Sequence, residues 1–464
     1  MSRDRLDVGL EDPRARRVFY RRRDWDPRTW HERLILPALL AGIGLFLAGA
    51  ATFVGGGSPP DVLALSVLLP LDVVVLALAL RWLALPADRA FLVRLAAAGL
   101  LLRLGMTLLF HVHLPVTFFA PDQYTFQDVG WRTLLHLRGI GPRPAQLQGF
   151  EVGYYYWNAA LYSVFGFAPL APKLINALLG TITALVAYRL GGDLVGEGGA
   201  RTSALLVMLF PSLLLWSTQN LRDAPAILLL ILLLWMALRL RVRPSPTRLL
   251  PLMALLALLF VVRDYMAVMV LFALVGSFMI ARHRRLPVNL LMAGVLLGSA
   301  IFAYRTFGLG DGLLDSASFE MLNVQRQSMA TGRTAFAPEA DISTPLRGLQ
   351  FLPVGLAFFL LSPFPWQLGS TLSVMTLPEQ ILWYALLPMV AYGAWFLVRE
   401  RFNRTAPTLL FLLLTMSIYA LVEGNAGTAY RHRAQLVVFM LVFAAAGIEA
   451  WRARRGRTSA RRRR

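Results

Sequence analysis

Arg222-Asp-Ala-Pro-Ala-Ile-Leu-Leu-Leu-Ile-Leu-Leu-Leu-Trp-Met-Ala-Leu-Arg239-Leu-Arg241-Val-Arg243 is the stretch whose reading decides the fold. Residues 224–240 carry no charge before Arg239 and, as a helix, are long enough to cross the hydrocarbon core of a bilayer. One end is a mixed Arg222-Asp223 joint; the other holds Arg239, Arg241 and Arg243. Arginine-rich joints stay in the cytoplasm, so the 239–243 end faces inward and Arg222-Asp223 faces out.

Similar runs recur along the 464-residue chain, at 34–55, 62–80, 90–110, 169–190, 201–217, 249–262, 266–281, 287–305, 381–398, 407–422 and 433–450. Only 16% of residues are charged and 57% are hydrophobic, against roughly a quarter charged in a soluble domain. The fold class is therefore an all-α polytopic membrane protein of about 12 transmembrane helices. A transmembrane domain spans 34–450, between a basic cytoplasmic arm, 1–33, and an arginine-rich cytoplasmic tail, 451–464. The first apolar run follows a charged arm (Arg14, Arg16, Arg17, Arg21, Arg22, Arg23) and reads as a signal anchor. No soluble domain and no internal repeat is visible.

Inside assignment of the arm, of Arg239 to Arg243, of Arg282-His-Arg284-Arg285, of Arg399 to Arg404 and of the tail places two long polar stretches, 111–168 and 306–349, outside. Residues 350–366 resist this scheme, because a crossing there would expose Arg399 to Arg404. Three prolines and a short length favour a re-entrant or interfacial pair of half-helices held against protein.

Several chemistries are excluded at once. The chain has no cysteine, so disulfides, thiolate metal sites and cysteine nucleophiles are absent. The net charge of +20 includes the tail residues Arg452, Arg454, Arg455, Arg457 and Arg461 to Arg464, placed to set orientation and touch anionic lipid rather than nucleic acid. His111 and His113 do not converge on one helical face, and no metal site is expected.

The outer joints carry the candidate chemistry. They are Gln219-Asn220-Leu221-Arg222-Asp223, Arg263-Asp264-Tyr265, and Glu423 to Arg433, which includes Arg431, His432 and Arg433. Arginine at an outer helix end runs against the orienting bias, and its planar fork suits phosphate. Two readings stand: local pairing with Asp223 and Asp264, or a convergent anion site of Arg222, Arg263, Arg431, His432 and Arg433.

Among the acids, Asp122 and Asp128 lie six residues apart, about 240° around a helix, and cannot share a face. Asp128 has Arg132 at i+4 as partner. Asp122 follows Pro121 and has no basic neighbour in the chain, so it is either a helix cap or a carboxylate whose partner comes with substrate. Glu151 is the second candidate base. Tyr124, Tyr155 and Trp157, the last two within the cluster Tyr154 to Trp157, are candidate sugar or acceptor contacts or members of an interfacial aromatic belt.

Gly153-Tyr-Tyr-Tyr-Trp-Asn-Ala-Ala-Leu-Tyr-Ser-Val-Phe-Gly166, Lys173-Leu-Ile-Asn176-Ala-Leu-Leu-Gly180, and Phe210-Pro211 running through Trp216-Ser217 to Leu221-Arg222-Asp223 resemble the GT-C superfamily of polyprenyl-phosphate-sugar-dependent glycosyltransferases. The similarity is to protein O-mannosyltransferases and lipid A aminoarabinose transferases, and covers roughly 90–280. It departs from the former in lacking an Asp-Glu pair in the first loop. The resemblance implies a GT-C-like fold, an inverting transferase, Asp122 as base, a lipid-linked sugar donor, and a glycan, lipid or protein acceptor at a bacterial cytoplasmic membrane. No cofactor is implied, apart from a divalent cation if the donor is a pyrophosphate. The Gly424 to Arg433 segment also resembles polysaccharide polymerases, so a polymerase or ligase using a polyprenyl-pyrophosphate oligosaccharide stays open. So does a non-catalytic transporter of lipid-linked glycan.

Overall fold

The computed structural model describes residues 40–47, 49–50, 53, 56–148, 151–280, 286–307, 318–332, 334–366 and 374–461. The expected arm 1–33, half of the first span, the joint Arg282 to Arg285 and the end of the tail lie outside the described residues. What is described is helical, with no strand among the described residues, only an isolated bridge between Ala335 and Asn425.

Helices α1 (Pro59–Leu83) and α2 (Arg89–His113) come first, joined by a short turn at Pro86–Asp88. Helices α3 (Asp122–Leu137) and α4 (Gly153–Phe165) follow, then α5 (Leu170–Leu194), α6 (Glu197–Leu209), α7 (Pro211–Trp216), α8 (Asp223–Val242), α9 (Pro246–Val262) and α10 (Asp264–Met279). The C-terminal part holds α11 (Leu286–Phe307), α12 (Phe319–Met329), α13 (Pro345–Leu361), α14 (Leu377–Val422) and α15 (Ala426–Arg461). Six of these, α1, α2, α5, α8, α14 and α15, are long and apolar enough to cross a membrane; α9, α10, α13 and the Pro287–Phe302 part of α11 are apolar but shorter.

Local chemistry explains several boundaries. Ser58 caps α1, its hydroxyl accepting from Asp61 N at 3.3 Å, with Pro59 at the first helical position. The expected span 201–217 is broken into α6 and α7 at Phe210-Pro211, because proline lacks the N–H that would continue the ladder. The basic joint Arg399 to Arg404 falls on a kink inside α14, where Arg401 leaves helical geometry (φ −143°, ψ 32°). Arg401 there donates to Leu194 O at 2.9 Å and Arg404 to Asp193 O at 3.2 Å.

The bundle packs by close backbone approach. A Cβ on Gly393 would lie 1.8 Å from Phe443 O, and one on Gly447 would lie 2.1 Å from Met389 O, so α14 and α15 meet through two glycines. Helices α5, α6, α8 and α15 form the buried centre, while α1 exposes Val62, Leu63, Val67, Leu71, Val73 and Val74.

Both long polar stretches contain helices among the described residues. The first holds α3 and α4, packed so closely that a Cβ on Gly130 would lie 2.5 Å from Asn158 Cβ. The second stretch contains α12 and is held by Arg326. Its guanidinium lies between the Phe336 and Phe351 rings and donates to Glu423 O at 2.7 Å, Phe336 O at 3.1 Å and Ala337 O at 3.2 Å. Burial pulls Arg326 down to about 10, which leaves it charged at neutral pH. The second loop is thereby clamped on the turn before α15.

The expected half-helices at 350–366 are replaced by one helix, α13, with Pro353 inside it and a cis peptide between Ser362 and Pro363. Its last carbonyls find side-chain donors within the protein. Leu360 O accepts from Trp383 Nε1 and Arg433 Nη1, both at 2.7 Å. Leu361 O accepts from Tyr384 Oη at 2.6 Å and Gln380 Nε2 at 2.8 Å, and Ser362 O accepts from Arg433 Nη1 at 2.8 Å. Helix-end carbonyls without an intrahelical partner need donors like these when buried away from water.

The sidedness expected from the arginine distribution has a direct test. A cysteine introduced at Ser163, near the end of α4, is expected to react with an impermeant thiol reagent on intact spheroplasts. One at Thr247, in the first turn of α9, is not. Labelling at Thr247 would reverse the orientation.

Candidate active site at the joint of α3, α8, α10 and α15

The turn that precedes α8 is built on buried amides. Asn176 Nδ2 donates to Gln219 O at 2.8 Å, Leu221 O at 2.9 Å and Tyr154 Oη at 3.0 Å. Asn220 accepts from Tyr154 Oη at 2.9 Å, donates to Asn158 Oδ1 at 2.9 Å, and gives its backbone N–H to Gln123 Oε1 at 3.1 Å. Buried backbone groups away from water need such partners, and amides supply donor and acceptor together. The network locks α3, α4 and α5 to residues 219–221. From below, Arg103 on α2 donates through Nε to Ser217 Oγ at 2.9 Å.

Asp223 then opens α8 as the hub of the cluster. It is 1% exposed, and both its oxygens are filled. Oδ1 accepts from Arg263 Nη1 at 3.0 Å and Gln435 Nε2 at 3.1 Å. Oδ2 accepts from Arg431 Nε at 3.1 Å and Nη2 at 2.8 Å. Its place at a helix N-terminus adds favourable backbone dipoles to two arginines.

The remaining face of Arg431 points outward. Nη1 donates to Asp122 Oδ2 at 2.6 Å, and the guanidinium lies 5.8 Å from the Trp216 ring centroid. Asp122 is the first residue of α3, and its side chain is 56% exposed. Beside it Arg222 donates to Glu151 Oε2 at 2.5 Å. Tyr155 feels the charges of Arg222, Glu151 and Asp122 together. Burial, and then the Glu151 carboxylate, push the Asp264 carboxyl well above the ordinary carboxylate range.

His432 completes the rim. Its Nδ1 contacts Glu423, its ring stacks on Tyr419 at 5.1 Å, and Tyr419 Oη donates to Gln435 Oε1 at 2.7 Å. The chain of contacts returns through Gln435 to Asp223.

The structure thus brings together Asp122, Glu151, Tyr155, Arg222, Arg263, Arg431 and His432. Asp122, which lacks a basic neighbour in the chain, has one in space: Arg431. The outer joints converge here, but the expected local pairs do not form: Arg222 takes Glu151 rather than Asp223, and Arg263 takes Asp223 rather than Asp264. Arg263 is buried and spent on Asp223. Arg433 departs most from the expectation. It is buried and gives its donors to Leu360 O, Ser362 O and Gln380 Oε1, capping α13 rather than joining the cluster. Asp128 pairs with Arg132 on α3. Tyr124 and Trp157 are exposed on α3 and α4. His111 meets Asp61 at 3.3 Å and Lys173 at 3.5 Å. Among the described residues no three histidine or acidic side chains are grouped to hold a metal ion.

Reading the sequence missed Asp223 as hub, Gln435 and the supporting Asn158 and Asn220. It also missed charges inside spans: Arg103 is fully buried, and Asp72 is buried on α1 with Oδ2 unpartnered among the described residues. The apolar-run pattern tolerates one charge in each window, so nothing marked them.

The Arg433 position yields an expected result. Arg433→Ala leaves the Ser362 carbonyl and Gln380 Oε1 without this donor and Leu360 O with Trp383 Nε1 alone, each orphaned buried acceptor costing about 1–3 kcal/mol. Thermal unfolding in detergent should show that loss, with donor affinity unchanged in whatever protein stays folded. A stable variant with weakened donor binding would return Arg433 to the anion site.

Residues 152–305, from the residue before α4 to the last turns of α11, match the family described as dolichyl-phosphate-mannose-protein mannosyltransferase. Arg222, Asp223 and Arg263 lie within the match; Asp122, Glu151 and Arg431 lie outside it. No curated protein matches the chain.

Proposed function

We propose that this chain is a multi-pass membrane glycosyltransferase of the GT-C type that moves a sugar from a polyprenyl-phosphate-linked donor to an acceptor hydroxyl on the outer face of a bacterial cytoplasmic membrane, a reading supported by the family match over residues 152–305 and the long apolar helices. One observation carries the roles: an exposed carboxylate, Asp122, lies 2.6 Å from a guanidinium whose other edge is fixed by a buried acid. A base and a cation for the leaving group therefore stand side by side, positioned before substrate arrives.

In this reading Asp122 takes the proton of the acceptor hydroxyl. The acceptor oxygen forms its bond to the anomeric carbon as the bond from that carbon to the phosphate oxygen breaks. The electron pair leaves with the polyprenyl phosphate, which gains one negative charge. Arg431 meets that charge, and Arg222 is the second cation within reach of the rim. General-base assistance is worth about 10²–10⁴-fold. Glu151 acts by holding Arg222, and Tyr155, Tyr124 and Trp157 offer ring faces to a sugar. The expected phosphate roles of Arg263 and Arg433 pass to Arg431 and Arg222, because both residues are buried and engaged. Both termini are cytoplasmic, and the arginine-rich tail touches anionic lipid.

The test is reconstitution of purified protein in liposomes with polyprenyl-phosphate sugars and polyprenyl-pyrophosphate oligosaccharides, offered separately. Transfer from the monophosphate donor, with release of polyprenyl phosphate, is the expected result. Use of the pyrophosphate donor alone would turn the reading to the polymerase or ligase. Movement of donor across the bilayer without transfer would turn it to the transporter.

A further inference from the structure

Every arginine of the cluster already has a carboxylate. Arg263 is on Asp223, Arg222 on Glu151, and Arg431 on Asp223 and Asp122. With Asp264 counted, four acids face three arginines, so no vacant cation waits for a phosphate among these residues. An incoming anion must displace an acid, and the cost of doing so differs widely among them.

Asp223 cannot be the one. It is 1% exposed and holds two arginines and Gln435, so moving it would strand two buried guanidinium groups. Its grip through Nε and Nη2 fixes the plane of Arg431 and aims Nη1 at the rim. Glu151 is 29% exposed, while Asp122 is 56% exposed, stands at the start of a helix, and can turn into solvent by a side-chain rotation. A surface ion pair of this kind is the weakest of the set.

Resting on the reading above, we propose that Asp122 and the donor phosphate occupy Arg431 Nη1 in turn, so that donor binding releases the base. A polyprenyl-phosphate sugar is a phosphodiester with one negative charge. Exchanging it for a carboxylate leaves the charge at Arg431 unchanged, and no buried group has to move. Before the exchange both Asp122 and Nη1 are engaged, so acceptor meets no free base. After it, Asp122 is released beside the bound donor, which sets the order: donor first, acceptor second. The same contact lowers the apparent donor affinity, since binding must first open the Asp122–Arg431 pair.

The consequence is a variant that binds better and works worse. Binding of farnesyl phosphate, a short prenyl monophosphate, is measured by titration calorimetry on detergent-solubilised full-length protein. Asp122→Asn is expected to bind it about tenfold more tightly than wild type, because the competing charge is gone. Arg431→Gln is expected to bind at least about tenfold more weakly. In the double variant the gain from Asp122→Asn should vanish, since there is nothing left to compete for. If Arg431→Gln does not fold, Arg431→Lys replaces it, because a lysine cannot span Asp223 and the rim with one planar fork. If Arg431 variants weaken binding but Asp122→Asn does not tighten it, the exchange is wrong and the donor site stands. An equal gain from Asp122→Asn with and without Arg431 would reduce the effect to general repulsion and also overturn the exchange. If the Arg431 variants bind as wild type does, the donor site itself has been misplaced.

Discussion

Asp122→Asn is expected to lower sugar transfer by at least about two orders of magnitude, the scale for losing a positioned general base. The substitution keeps the size of the side chain and one carbonyl oxygen for Arg431 Nη1, so the fold should persist. The loss should appear in turnover rather than in donor affinity. Asp128→Asn is the control: its partner Arg132 is on the same helix, both side chains are substantially exposed, and the pair is worth little. Single-turnover transfer in liposomes at saturating donor separates the two. Near wild-type turnover in Asp122→Asn, with Glu151→Gln inactive, would move the base to Glu151. Full activity in all three variants would leave the proposed chemistry without a base.

Asp223→Asn is expected to cost about 3–5 kcal/mol of stability, the range for breaking a buried ion pair by removing one partner. The amide leaves Arg263 buried without a carboxylate and weakens the hold on Arg431 Nε and Nη2. The loss is larger than for any exposed acid of the cluster, because water cannot replace the missing charge at a site 1% exposed. Thermal unfolding of the detergent-solubilised protein measures it, with Glu151→Gln expected to shift the midpoint far less. An Asp223→Asn variant as stable as wild type would mean that the two arginines have other partners. The Arg431 edge would then not be fixed before substrate binds.

These two residues show how differently the site was written in the chain. Asp122 could be picked out from sequence by its position after Pro121, close behind a span, with no basic neighbour. Asp223 could be read only as one half of an Arg-Asp pair with its neighbour Arg222. In the structure Arg222 turns to Glu151, 71 residues away, and Asp223 takes Arg431, 208 residues away. Neighbours in the chain at a helix start point in different directions, so adjacency was a poor guide to pairing.

The apolar runs at bilayer length, the scarcity of charge and the placement of basic joints determined a helical, multi-span chain and put Asp122, Glu151, Arg222, Arg263 and Arg431 at joints between the apolar runs. Hydrophobic periodicity is local, and a helix satisfies its own backbone, so this level needs no distant partner. Which arginine faces outward and which is a strut was decided only by tertiary structure. Arg431 and Arg433 are two residues apart and alike on paper. Two residues on a helix is about 200° of rotation, enough to turn Arg431 to Asp122 and Asp223 while Arg433 caps the end of α13. The carbonyls, carboxylates and rings that fix each guanidinium come from helices that meet only when the bundle closes.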